Sequence, residues 1–158
     1  MNRTEQEMQI AIAHHLDWMA QLGRRFVWFA VPNGIPLGAS SPVERRHAAR
    51  IGGIFRAQGM KSGVPDIIIV AKSQILFVEL KALSGRESAQ QREWRTALTA
   101  LGWSVTILVA ADPGDAVEQI YHLLDQRRLL PDNVRIPANG GATNMHRSLK
   151  YNKNHDLN

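Results

Sequence analysis

A chain of 158 residues is the size of one domain, at roughly 100–200 residues per domain. Its 44% apolar and 21% charged residues are an ordinary globular composition and argue against disorder throughout. The absence of cysteine excludes a disulfide framework, a thiolate zinc site and a cysteine nucleophile. No apolar run reaches the roughly 20 residues of a membrane helix. The start, Met1-Asn2-Arg3-Thr4-Glu5, lacks the apolar core of a signal peptide. A soluble protein of a reducing compartment is the expectation. The net charge is +5, and it is unevenly placed. Between positions 24 and 61, Arg24, Arg25, Arg45, Arg46, Arg50, Arg56 and Lys61 face a single acid, Glu44. That segment accounts for the whole excess. It reads either as a footprint for a polyanion or as a solvated basic face.

Thr4-x-x-Glu7 has the form of a capping box, so a helix is expected from about Glu5 to Leu22, ended by Gly23. Met8, Ile12, Leu16 and Met19 form its apolar stripe. Residues 25–31 read as a buried strand, and Pro32-Asn33-Gly34 as a break with a loop to Ser40. Ser41-Pro42-Val43-Glu44 is a second capping box with proline at the first helical position. Its helix is expected to stop at Gly52-Gly53. A loop from Gly59 to Pro65 leads to strand 66–71. Lys72-Ser73 turns it into strand 74–80, which makes a hairpin. Helix 88–101, closed by Gly102, strand 103–110 and a helix from Asp112-Pro113-Gly114 to about Gln126 follow. The strand–helix–strand unit 74–110 implies a parallel pairing with a right-handed crossover. From Pro131 periodicity is lost and asparagine is frequent, so 131–158 reads as a weakly ordered polar tail behind a 1–130 domain. The expected architecture is α/β, a mixed sheet of about four strands flanked by helices.

The chemistry concentrates in Gly63-Val64-Pro65-Asp66 and Glu79-Leu80-Lys81. Strand alternation puts Ile75, Phe77, Glu79 and Lys81 on one face. Apolar residues on both faces suggest a strand buried on both sides. With the turn at Lys72-Ser73, Ala71 pairs with Gln74 and Val70 with Ile75. Counting outward brings Asp66 opposite Glu79, with Cβ atoms about 4.5–5.5 Å apart. Facing carboxylates repel, and a hard divalent cation is a common remedy. Lys81 offsets part of the same repulsion. On the first helix Glu5 falls in line with the apolar stripe. It reads either as a further acid of the site or as a carboxylate at the positive helix end, worth about 0.3–1 kcal/mol. His14, His15, Trp18, Trp28, Trp94 and Trp103 read as packing or surface residues.

Pro65-Asp66 followed by Glu79-x-Lys81 resembles the PD-(D/E)xK nuclease superfamily, and within it the virus-type replication-repair nuclease domain, VRR-NUC. Its recurrent elements stand here in order: Glu5-x-x-x-Gln9-x-x-Ile12, then Gly59-x-x-x-Gly63-Val64-Pro65-Asp66, Glu79-x-Lys81, and Gln91-x-x-Trp94 in a helix ending at Gly102. The resemblance spans about residues 4–125 and implies a restriction-endonuclease-like core. By that resemblance Asp66 and Glu79 are metal-binding carboxylates, Glu5 an additional metal-binding acid, Lys81 the catalytic lysine and Gln91 the polar helix residue beside the site. Helical phase alone leaves Gln90 and Gln91 equally placed. The resemblance further implies a Mg²⁺- or Mn²⁺-dependent DNA endonuclease leaving a 5′-phosphate. A homodimer cutting branched DNA such as four-way junctions, in bacterial or phage-infected cytoplasm, is the leading expectation. A sequence-specific restriction or homing-type endonuclease, a non-catalytic nucleic-acid-binding module on the same fold and an RNA substrate stay open. Arg45, Arg46, Arg50, Arg56 and Lys61 are the candidates for nucleic-acid backbone contacts.

Overall fold

The computed structural model describes residues 3–23, 25–32 and 41–130. Helix α1 (Arg3–Gly23) leads to strand β1 (Phe26–Ala30), and α2 (Pro42–Ala57) precedes the hairpin β2 (Ile67–Ala71) and β3 (Gln74–Ala82). Helix α3 (Ala89–Ala100), strand β4 (Val105–Ala110) and helix α4 (Pro113–Gln126) complete the described chain. The Asn33-Gly34 turn and the polar tail from 131 lie outside the described residues.

The sheet runs β1-β2-β3-β4, antiparallel across the first two pairs and parallel between β3 and β4. This is the expected α/β class with a mixed four-stranded sheet. Ala71 pairs with Gln74 and Val70 with Ile75, so the two-residue turn sets the register that spacing required. A parallel pair needs a crossover, and α3 supplies it.

The core lies on one face of the sheet. Met8, Ile12, Leu16 and Met19 of α1 are fully buried, as their 3.6-residue periodicity demands. They pack with Ile67, Ile69, Leu76, Val78 and Leu80 of the hairpin and with Ile120, Tyr121 and Leu124 of α4. Fully burying a side chain of this size contributes about 1.5–3 kcal/mol. Capping marks the helix starts. Ser41 and Glu44 form both halves of the capping box of α2, and Asp112 caps α4. No helix among the described residues is long and apolar enough to cross a membrane.

Four local expectations need correction. Thr4 already lies inside α1, which begins at Arg3, so Thr4 is not its N-cap. β1 is an edge strand with Val27 and Phe29 exposed, not a buried one. Among the described residues it pairs with β2 alone, and Val27 and Phe29 point away from the core. β3 is buried on both faces only in its second half: Ile75 and Phe77 stay partly exposed opposite the core-facing Leu76 and Val78, whereas Glu79 and Lys81, on the same face as Ile75 and Phe77, are buried. Finally, α2 continues through Gly52-Gly53 to Ala57. Glycine weakens a helix interior by roughly 0.5–1 kcal/mol but does not forbid it. The stop comes at Gly59, whose φ of 96° is left-handed. There Gly59 N–H donates to the Arg56 carbonyl and Met60 N–H to the Phe55 carbonyl, a Schellman closure.

This distinction is measurable. A Cβ at Gly53 meets nothing within 4 Å, so Gly53→Ala is expected to stabilise by about 0.5–1 kcal/mol. Gly59→Ala is expected to destabilise by about 1–2 kcal/mol through its left-handed φ. Urea unfolding midpoints of the two variants should move in opposite directions.

Candidate active site

Asp66 ends the glycine-containing loop and sits one register step beyond the Ile67–Val78 pair, which places it opposite Glu79. Its carbonyl is tied into the sheet by the Val31 N–H at 2.8 Å. Its Oδ2 reaches across the hairpin and accepts the Leu80 N–H at 2.9 Å. On β3, alternation turns Glu79 and Lys81 to the same side, and Lys81 Nζ donates to Glu79 Oε1 at 2.6 Å. From α1, Glu5 Oε1 accepts the Ala82 N–H at 3.3 Å. Glu5, Asp66, Glu79 and Lys81 retain only 8%, 5%, 3% and 7% of their exposure. They are the buried charged residues of the described chain, and they meet in one place.

The loop before Asp66 brings α3 to the same spot. Gly63 has φ 80°, and a Cβ there would lie 2.6 Å from the Gln90 carbonyl carbon. Only glycine lets the loop approach the helix start so closely. Trp94 Nε1 donates to the Ser62 carbonyl and holds the other side of the contact. Ser88 then caps α3. Its Oγ accepts the Gln91 N–H at 3.2 Å, and Gln91 Oε1 accepts the Ser88 N–H at 2.8 Å. That reciprocal box directs the Gln91 amide nitrogen to Glu79 Oε1, to which it donates. Gln91, rather than Gln90, thus touches the acid. Ser88-x-x-Gln91 is itself a capping spacing, a local signal that distinguishes the two glutamines and that helical phase misses.

Together these groups line a cavity of about 310 Å³, which Arg86 also borders. Arg86 was not among the expected site residues. Burial and then the nearby Asp66 carboxylate push the Glu79 carboxyl up to about 7, with Glu5 adding to the rise and Lys81 opposing it. Lysine alone therefore does not neutralise the cluster. Both hydrogen bonds to Glu79 converge on Oε1, and among the described residues none reaches its buried Oε2. An oxygen-only donor set with such an unused oxygen fits a hard divalent cation. Among the described residues no group of three or more histidine, aspartate or glutamate side chains is arranged to hold a metal ion.

The basic candidates are elsewhere. Arg45, Arg46, Arg50 and Arg56 are exposed on α2, and Lys61 is exposed on the following loop. None of them lines the acidic cavity. α2 itself has no buried residue and stands off the core.

A family model, described as the VRR-NUC domain, matches residues 4–112. The chain belongs to the VRR-NUC family. It is therefore a nuclease domain of the PD-(D/E)xK type. A solved chain described as "VRR_NUC domain protein" is similar at 18% identity, with a TM-score of 0.48 over 79% of this chain and 91% of that one. No curated protein matches. The VRR-NUC match contains Glu5, Asp66, Glu79, Lys81 and Gln91, the residues that the fold gathers.

The raised Glu79 carboxyl has a thermodynamic consequence in metal-free protein. Its pKa is higher folded than unfolded, so its contribution to stability is fully present below 4.5 and lost as pH rises to about 7. Relative to Glu79→Gln, the metal-free wild type should lose on the order of 2–3 kcal/mol across that window. Urea denaturation in EDTA at a series of pH values checks this, and parallel curves for the two proteins would contradict it.

Proposed function

We propose that this chain is a Mg²⁺- or Mn²⁺-dependent DNA endonuclease acting on branched DNA such as four-way junctions. The observation that carries the reading is the buried meeting of Asp66, Glu79 and Lys81 across a hairpin, in a chain of a nuclease family. Phosphodiester oxygens repel a nucleophile, so hydrolysis needs charge neutralisation and an oriented water. Asp66 and Glu79, with Glu5 as a further acid, would hold a divalent cation, which would supply Lewis acidity and activate a water for attack. The protein groups do the positioning. Lys81 and Gln91 lock one oxygen of Glu79 and leave the other for the ion. Lys81, buried beside the cavity, is placed to orient the water or to meet negative charge developing on the phosphate.

Exposed arginines on α2 support DNA as the substrate. They touch backbone rather than bases in this reading, and such contacts position the duplex without reading sequence. Structure-specific cleavage is accordingly preferred to sequence-specific cleavage. The second face of the sheet supports a homodimer. Val27, Phe29, Ile107 and Val109 share that face by register and remain exposed. Exposed apolar area of this kind marks interaction surfaces. A second copy seated there would give two sites related by a two-fold axis, as cutting both strands of a junction requires.

The assay is cleavage of labelled linear duplex, single strand, flap and four-way junction with Mg²⁺. Wild type should cut the junction best. Lys81→Ala and Glu79→Ala should each lose at least about 10²–10³-fold in turnover, while fluorescence anisotropy shows DNA still bound. Intact substrates throughout, or a Glu79→Ala protein cutting at the wild-type rate, would overturn the reading. Preferred cutting of one linear sequence would favour a restriction-type enzyme. Replacing Arg45, Arg46 and Arg50 by alanine should flatten the salt dependence of binding, by about 0.9 in the log–log slope for each phosphate no longer neutralised. Sedimentation should show a dimer that Phe29→Asp converts to monomer.

A further inference from the structure

We infer that Arg86 is a phosphate-binding residue of this site, its guanidinium holding a non-bridging oxygen of the scissile phosphodiester. The inference rests on the nuclease reading above and assigns a role to a residue outside the acid–lysine motif. Arg86 borders the cavity that contains Glu5, Asp66, Glu79, Lys81 and Gln91. Its backbone is fastened on both sides. Before it, the Gly85 N–H donates to the Ala82 carbonyl at 2.8 Å. Gly85 packs so closely that a Cβ would lie 3.0 Å from Glu5 Oε1 and 3.2 Å from Lys81 Cδ. After it, Glu87 accepts two hydrogen bonds from Arg95 at 2.8 and 2.9 Å, and Ser88 caps α3. A residue between two such anchors is held over the site rather than swung from a free loop.

Its side chain is uncommitted. Arg92 and Arg95 both pair with Glu87. Arg86 is exposed and, among the described residues, has no ion pair or hydrogen bond, although carboxylates line the same cavity. Charge balance says what it waits for. Three carboxyl groups, Glu5, Asp66 and Glu79, line the cavity beside a single lysine, Lys81, so the lining is predominantly acidic. An incoming phosphodiester then finds no net positive charge. Arg86 adds a positive group, and its planar fork of N–H donors matches two phosphate oxygens in a way an ammonium does not.

The test compares the full-length wild type, Arg86→Ala and Arg86→Lys. Turnover of the preferred substrate with Mg²⁺ should fall about 10²-fold or more in Arg86→Ala and recover in part in Arg86→Lys. The urea unfolding midpoint should not move, because the side chain is exposed. Binding measured with Ca²⁺ in place of Mg²⁺ should lose about 0.9 from its log–log salt slope in Arg86→Ala. On DNA bearing one methylphosphonate at the mapped cut position, wild type and Arg86→Ala should bind equally. Wild-type turnover and salt slope in Arg86→Ala, or a turnover loss accompanied by a lowered unfolding midpoint, would overturn the assignment. If wild type cuts while Arg86→Ala cuts equally well, only this inference fails; if wild type cuts nothing, the nuclease reading fails first.

Discussion

One constraint organises this molecule: a buried carboxylate, Glu79, faces a second buried carboxylate, Asp66, across a two-residue hairpin. Like charges opposed on a sheet are destabilising, and burial makes the repulsion worse. The structure responds with Lys81 two residues along the same strand and with the Gln91 amide from α3, both on one oxygen of Glu79. Asp66 is satisfied separately by the Leu80 N–H. The compensation is incomplete, and the raised Glu79 carboxyl records that. Such a cluster is costly for the fold, because burial and like charge both disfavour the ionised Glu79 carboxyl.

Every neighbouring element serves that arrangement. The register of β2 on β3 sets which acids meet. The close approach of Gly63 to Gln90 sets where α3 begins, and its capping box aims Gln91. α1 carries Glu5 in from the core face, on the same stripe as Met8 and Ile12. The layers are unequal. α1 and α4 cover one face with apolar side chains, whereas the other is only partly covered and keeps Val27 and Phe29 open. α2, basic and without a buried residue, stands outside this core. The apolar core, the acidic cavity and the basic helix thus occupy different parts of the chain.

Much of the fold was legible because its signals are local. The α1 stripe follows from helical periodicity, and the hairpin register from a turn of two residues with strands on both sides. The Ser41–Glu44 box and the Asp112 cap follow from side chains that satisfy orphan N–H groups nearby. The misreadings have physical causes too. Gly52-Gly53 carries only a propensity penalty, and a helix tolerates it when the chain beyond offers no earlier left-handed stop. The apolar run of β1 looks buried, yet whether a strand is central or at an edge depends on what pairs with it. Thr4 has a capping side chain but a helical backbone.

The sequence by itself determined the α/β class, the buried stripe, the pairing of Asp66 with Glu79 and the company of Lys81. These depend on spacings of a few residues within one element or one turn. Tertiary structure decided which glutamine reaches Glu79, that one sheet face stays open, and that Arg86 overlooks the cavity. Each of those depends on where separate elements come to rest against one another. That packing is a sum of many weak contacts distant in the chain, and no short spacing encodes it.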